Sequence, residues 1–332
     1  MEQVIEFCRY ISSFGGRAYL AGGSVRDKLL GIEPNDYDIE VYGIPNLDEV
    51  LSNKYDVDLV GKAFGVFKVK DYNFGVSYPR TEYKIAEGHK GLKCNFDPYI
   101  TTKEACGRRD FTINSMLYDP LTETYIDHYN GMLDLNNKVL RETSDAFDED
   151  PLRVLRAFHF ISRFNLTPTK SLIERCKKLT MVGIPKERVW EEFKKFITKG
   201  CYPSKGLQFL EETMWIIYFP QLQRIPINYK AIDKFGKLKG KKLEVGLAIL
   251  CCYMNHQTRA FLMQMTNQIS TIKYVSRLVY SIRPKYDDFR VKEYSRDIIW
   301  IDLFTVHQCI YGTSASLFNT INKYHLFPDK YK

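Results

Sequence analysis

Two aspartates one residue apart, Asp36 and Asp38, follow soon after the run Gly22-Gly23-Ser24-Val25-Arg26-Asp27. A glycine turn lets backbone approach a phosphate, and a carboxylate pair can hold divalent metal. Ile39-Glu40-Val41 read as a continuing strand, and alternate strand residues share a face. Both carboxylates are therefore expected to face one site, as two-metal chemistry on phosphates requires. An Asp-x-Asp alone more often marks a solvated turn. Behind a Gly-Gly-x-x-Arg-Asp turn it points to phosphate chemistry.

A second cluster is Arg108-Arg109-Asp110-Phe111-Thr112-Ile113-Asn114. A guanidinium fork makes bidentate bonds to oxyanions, which suits a triphosphate or ribose. By itself the cluster would read equally well as a surface ion-pair network. The third is Glu149-Asp150-Pro151-Leu152-Arg153-Val154-Leu155-Arg156. Asp150, Arg153 and Arg156 recur at helical spacing, along one face. Aspartate accepts hydrogen bonds and arginine only donates. Side by side they complement a base edge with an amino donor next to a ring-nitrogen acceptor. Cytosine and adenine offer that edge; guanine and uracil reverse it. The bland reading keeps Asp150 as a helix cap and the arginines as a solvated stripe, and capping is compatible with base reading.

These residues need elements to hold them. Val4, Ile5, Cys8 and Ile11 have helical spacing across 3–14, and Ala18-Tyr19-Leu20-Ala21 form a short apolar strand ending at the glycines. Asp27 to Leu30 read as a helical turn stopped near Gly31 and Pro34. Alternating or aromatic runs at 36–43, 64–70 and 74–79 predict a small sheet. From about residue 144 the pattern turns helical. Asp150-Pro151 is a helix start, and helices are expected over 151–164, 169–179 and 185–198, with 200–332 mostly helical. The fold class is α+β: a head with a small mixed sheet over 1–143, a helical neck over 144–200, and a helical body and tail over 201–332.

At 332 residues the chain is too long for one hydrophobic core. No apolar run reaches membrane-spanning length, and Met1-Glu2-Gln3-Val4-Ile5-Glu6 carries acids where a secretion signal is positive. The eight cysteines show no C-x-x-C pairing, so a reducing cytoplasm is the expected location. The net charge of +8 conceals an asymmetry. Residues 1–150 hold 17 Lys/Arg against 26 Asp/Glu, net −9, and residues 151–332 hold 31 against 14, net +17. The basic half suits a polyanion, most naturally nucleic acid, with a solvated basic surface as the plain alternative.

The ordered motifs resemble the class II tRNA nucleotidyltransferases, the CCA-adding enzymes, of the superfamily shared with bacterial poly(A) polymerases. The resemblance runs from Gly22-Gly23-x-Val25-Arg26-Asp27 and Asp36-x-Asp38 through Arg80-Thr81-Glu82 and Arg108-Arg109-Asp110-x-x-x-Asn114. It continues through Asp127-x-x-x-Gly131-x-x-Asp134 and Glu149-Asp150-x-x-Arg153-x-x-Arg156 to Glu187-Arg188-Val189-Trp190-Glu191. It covers residues 17–200, and weakly to about 220. It implies that Asp36 and Asp38 bind Mg²⁺, and that Gly23, Arg26 and Arg109 contact the nucleotide. It also implies that Asp150 and Arg153 read the base with Arg156 nearby, and that residues 80–108 form a flexible loop needed for adding the final A. The implied substrates are tRNA, CTP and ATP, with no membrane and no obligatory protein partner. Two features depart from the family. His159 stands where relatives often carry a further arginine, and none of the six histidines precedes an aspartate. The His-Asp phosphohydrolase domain of some relatives is therefore expected to be absent. A poly(A) polymerase, an A-only adding enzyme and an inactive RNA-binding relative remain alternatives.

Overall fold

The computed structural model describes residues 1–332 apart from 35, 59–64, 71, 85–91, 285–298, 313–314 and 324–332. It contains two compact units: Met1–Arg153 with Thr167–Arg175, and Val154–Leu166 with Cys176–Lys332.

The first unit is built on a seven-stranded sheet. Its strands are β1 (Arg17–Ala21), β2 (Tyr37–Tyr42), β3 (Val57–Asp58), β4 (Val66–Val69), β5 (Phe74–Ser77), β8 (Met116–Asp119) and β9 (Thr124–Asp127), in the order β3-β4-β5-β2-β1-β8-β9. Between β5 and β8 in sequence, β6 (Arg80–Lys84) and β7 (Leu92–Phe96) pair as a separate antiparallel hairpin. β2 lies near the middle, antiparallel to β1 with Leu20 opposite Ile39, and parallel to β5 with Asp38 opposite Gly75. In β2 the pleat buries Tyr37, Ile39 and Val41 on one face and sends Asp38, Glu40 and Tyr42 to the other.

Helix α1 (Glu2–Ser13) covers the first face because Val4, Phe7, Cys8 and Ile11 form one apolar stripe. Phe7 packs 5.0 Å from the ring of Phe74 and 5.6 Å from Tyr55. Helices α2 (Gly23–Leu29), α3 (Leu47–Ser52), α4 (Thr102–Gly107) and α5 (Gly131–Asn136) complete the unit. On the opposite face Cys106 of α4 packs against Ala21 and Leu117.

Helix α6 (Leu152–Phe164) begins as its sequence implies. The Asp150 carboxylate accepts from the Leu152 amide at 3.1 Å, satisfying one of the orphan donors of the first turn. The chain then returns to the first unit. There β11 (Thr167–Pro168) pairs in parallel with β10 (Val139–Leu140), a pairing that two residues of sequence could not announce. Helix α7 (Lys170–Lys178) follows.

The second unit is helical. It contains most of α6, then α8 (Lys186–Lys199), α9 (Pro203–Glu212), α10 (Pro220–Arg224), α11 (Tyr229–Gly236) and α12 (Leu243–Leu250). α13 (Thr258–Met265), α14 (Ile269–Ser281), α15 (Trp300–Tyr311) and α16 (Ala315–Lys323) complete the described helices. Its core is aromatic: Phe158 stacks on Phe196 at 4.1 Å, and Phe193 meets Phe219 at 4.9 Å. α12 is buried from Val245 to Leu250, as its unbroken apolar run requires.

Candidate active site in the first unit

The strand β1 ends at Ala21 and the chain reverses into α2 through Gly22, whose φ of 66° lies where L side chains are strained. A Cβ there would also stand 2.6 Å from Nη1 of Arg109. Gly22 is thus required twice, by backbone and by neighbour. Gly23, the first residue of α2, has no such constraint: an added Cβ would come no closer than 3.5 Å to anything, the nearest atom being Nη2 of Arg26.

Asp36 sits in the bend before β2 and Asp38 inside the strand, both exposed. Among the described residues neither carboxylate has a hydrogen-bond or ion-pair partner. Asp38 keeps a solvent-facing surface, yet protein packed around it desolvates the carboxyl and raises its pKa. Arg109 opposes that rise, while the charges of Asp36 and Glu40 add to it. Two unengaged, mutually repelling carboxylates fit a small divalent cation, which relieves the repulsion. Such an ion accepts one or two protein carboxylates and completes its shell with water and phosphate oxygens. No group of three or more metal-ligating side chains occurs among the described residues.

Behind the pair lies a buried polar network. Glu40, 2% exposed, receives Nη2 of Arg109 at 2.6 Å, the Tyr42 hydroxyl at 3.0 Å and Nη2 of Arg108 at 3.5 Å. Burial alone would raise its pKa; the two guanidiniums and the hydroxyl prevail and hold it below the usual carboxylate range. Arg26 is also buried, and its guanidinium donates to Asp27 at 2.7 Å and to Asn114 Oδ1 at 2.5 Å. Asn114 in turn donates to Asp110 at 2.9 Å. The Arg-Asp-x-x-x-Asn spacing thus closes one tight turn under the glycines.

The Asp127-Gly131-Asp134 motif supports that turn from below. Asp127 accepts from the amides of Gly131 at 2.8 Å and Met132 at 2.9 Å, capping α5. Asp134 accepts from the Thr112 hydroxyl at 2.8 Å. Gly131 lies so close to the Thr112 carbonyl that a Cβ would stand 2.1 Å from its oxygen.

Arg153 is 7% exposed, its guanidinium donating to the carbonyls of Ala146 at 2.5 Å and Arg108 at 2.8 Å. Asp150 precedes the helix in an extended conformation (φ −125°, ψ 99°) and Arg153 is the second residue of α6. Both belong to the unit that carries Asp36 and Asp38.

Residues 18–141 match the family model of the poly A polymerase head domain. The multifunctional CCA protein of Vibrio parahaemolyticus is 40% identical over 189 residues, which is 55% of this chain and 46% of that protein. The CCA-adding enzyme of Francisella tularensis is 40% identical over 211 residues, 61% of this chain and 57% of that protein. The chain spans about half the length of the curated relatives it matches. The crystal structure of the Bacillus stearothermophilus CCA-adding enzyme in complex with CTP aligns at a TM-score of 0.76 and 20% identity, over 97% of this chain and 82% of that one. The Thermotoga maritima CCA-adding enzyme complexed with tRNA aligns at 0.64 and 19% identity, over 96% and 80%. At such identities the likeness establishes the fold, a head with a small mixed sheet and a helical remainder. The resemblance to CCA-adding enzymes carried by the motifs is borne out by these relatives.

Beyond the matched residues 18–141, Arg156 lies in the second unit, 4.0 Å from the Glu192 carboxylate and over the Phe160 ring at 5.4 Å. His159, 3% exposed, places Nδ1 2.5 Å from Glu192, which Lys195 also meets at 2.8 Å. Burial pushes the imidazole down to about 4 despite that contact. Burial opposes ionisation of Glu192, but His159, Arg156 and Lys195 outweigh it and hold the carboxyl low. His159 is therefore a packed, neutral residue near neutral pH.

The loop expected over 80–108 has its centre, 85–91, outside the described residues; its flanks are β6, β7 and α4. Sequence reasoning passed over Glu40 as a site residue, although the alternation Asp36, Asp38, Glu40 was the available signal. Seven described cysteines are free thiols, and no helix among the described residues is long and apolar enough to cross a membrane.

Proposed function

We propose that this protein adds CCA to the 3′ end of tRNA from CTP and ATP without a nucleic-acid template. The observation that carries the reading is the unengaged Asp36/Asp38 pair beside the Gly22 turn in a poly A polymerase head, with Asp150 and Arg153 on the same unit.

The RNA 3′-oxygen attacks the α-phosphorus of the nucleotide, the bond to the β-phosphate oxygen breaks, and pyrophosphate leaves. Magnesium bound at Asp36 and Asp38 would acidify the 3′-hydroxyl and neutralise the triphosphate. The chain's own groups bind and orient. The first turn of α2, which starts at Gly23, offers backbone amides to phosphate oxygens. Arg109 adds positive charge beside Asp38, and Arg26, bound to Asp27 and Asn114, shapes the turn from within. Asp150 accepts from the amino group of cytosine or adenine, and Arg153 donates to the neighbouring ring nitrogen. Arg156 assists, as its place in the motif implies. The basic residues after 150 bind the tRNA through backbone and shape, since the A-form major groove is too narrow to read. Free thiols and the RNA substrate fit a cytoplasmic site of action.

The test is incubation with Mg²⁺, labelled CTP and ATP, and tRNA ending at the discriminator base. Two C residues and one A followed by arrest support the reading. Ragged poly(A) reassigns the protein to the polymerases, and no incorporation defeats both.

A further inference from the structure

Glu40 shares a strand face with Asp38, two residues along β2, yet it is engaged where Asp38 is not. A buried carboxylate paired with guanidinium is a poor way to gain stability, because desolvation consumes most of the Coulomb gain and apolar side chains pack as well. What such a pair supplies is orientation. Arg109 is the member oriented: Nη2 on Glu40 at 2.6 Å, Nη1 on the Asn114 carbonyl at 3.4 Å, and the same Nη1 against Gly22. Its Nε is buried with no partner among the described residues, so its guanidinium is held through its two Nη atoms, and the shorter bond is to Glu40. Arg108 meets the same Glu40 oxygen, and its carbonyl is one of the two that fix Arg153. Residues 108 and 109 therefore touch the catalytic strand, the glycine turn and the base-reading arginine, and Glu40 is the anchor common to both.

We propose that Glu40 is a positioning residue for the incoming nucleotide: it sets Arg109 against the Gly22 turn and, through Arg108, the carbonyl that holds Arg153. Triphosphate and base are then registered to Asp38 by one carboxylate. The proposal rests on the nucleotidyl-transfer reading above.

The test compares wild type with Glu40→Gln and Glu40→Asp, with folding checked by thermal unfolding. Glu40→Gln keeps the shape and removes the charge; Glu40→Asp keeps the charge and shortens the reach. Expected for Glu40→Gln is a rise of about tenfold in KM for CTP and ATP with kcat little changed, and a matching rise in the Kd for CTP measured by calorimetry. Glu40→Asp falls between, and carries the test if the Gln variant does not fold. Misincorporation of UTP and GTP rises in parallel because Arg153 loosens. A KM and Kd within twofold of wild type in both variants, with only a lower Tm, would overturn the proposal. So would an unchanged KM with a raised Mg²⁺ requirement, which would make Glu40 a metal ligand. If wild type binds CTP but adds none, the nucleotidyl-transfer reading fails while the CTP Kd comparison still decides whether Glu40 positions the nucleotide.

Discussion

At the residue scale the head contrasts carboxylates that are engaged with carboxylates that are not. Glu40, Asp110, Asp127 and Asp134 each satisfy a donor in the scaffold, whereas Asp36 and Asp38 satisfy none among the described residues. Exposed groups without partners contribute little to stability. Asp36→Ala and Asp38→Ala are therefore expected to lower nucleotide incorporation by about 10³-fold or more without loss of stability, and Asp38→Ala, which removes a desolvated and repelled carboxylate, to raise stability slightly. Incorporation assays paired with urea titrations check both halves of that expectation. His159 makes the opposite case, a buried titratable group serving structure. Its folded pKa of about 4 lies below its ordinary 6.5, so between those values the unfolded chain holds a proton that the folded chain does not. Stability rises with pH across that window and falls as pH drops from 6.5, by ~2 kcal/mol at pH 5. Thermal unfolding at pH 5 and 7 should show that loss in wild type and a smaller one in His159→Gln.

At the element scale the decisive piece is the junction of β1 and α2. A seven-residue helix has little stability of its own. It holds its place because Ser24 donates to the Ala21 carbonyl at 2.9 Å, Arg26 is clasped by Asp27 and Asn114, and Gly22 permits the turn. Gly22→Ala must adopt a positive φ and displace Arg109. A loss of roughly 1–3 kcal/mol is expected, together with a fall in nucleotide affinity. An unchanged Tm with unchanged CTP binding would show that neither constraint matters.

At the scale of the whole molecule, charge divides the chain in the way the proposed tRNA binding calls for. The first 150 residues are net −9 and residues 151–332 net +17, and most of the latter belong to the helical unit with its aromatic core. Binding of a polyanion by such a surface releases counterions. Affinity for tRNA should fall roughly 10³-fold between about 50 and 200 mM salt, read by filter binding. A flat salt response would return the basic half to a solvated surface.

The sequence by itself determined the local features. Gly22-Gly23, the Asp36/Asp38 spacing, the Asp150 cap and helices α6, α7 and α8 within two residues of their ends were legible because each is written in adjacent residues. So were strands β1, β2, β4 and β5, whose alternation reports a half-buried pleat. Motifs faded near residue 220, yet the helical body matches solved CCA-adding folds over almost the whole chain, because packing tolerates sequence change that keeps apolar pattern and volume. Only the tertiary structure decided how the arginines are used. Arg26, Arg109 and Arg153 carry the same charge in the sequence, but besides a near neighbour each takes a partner far along the chain, 88, 69 and 45 residues away. A guanidinium binds whatever acceptor the fold brings to it, and spacing along the chain does not encode that distance. The same holds for Glu40: alternation placed it beside Asp38, and the fold buried it under Arg109.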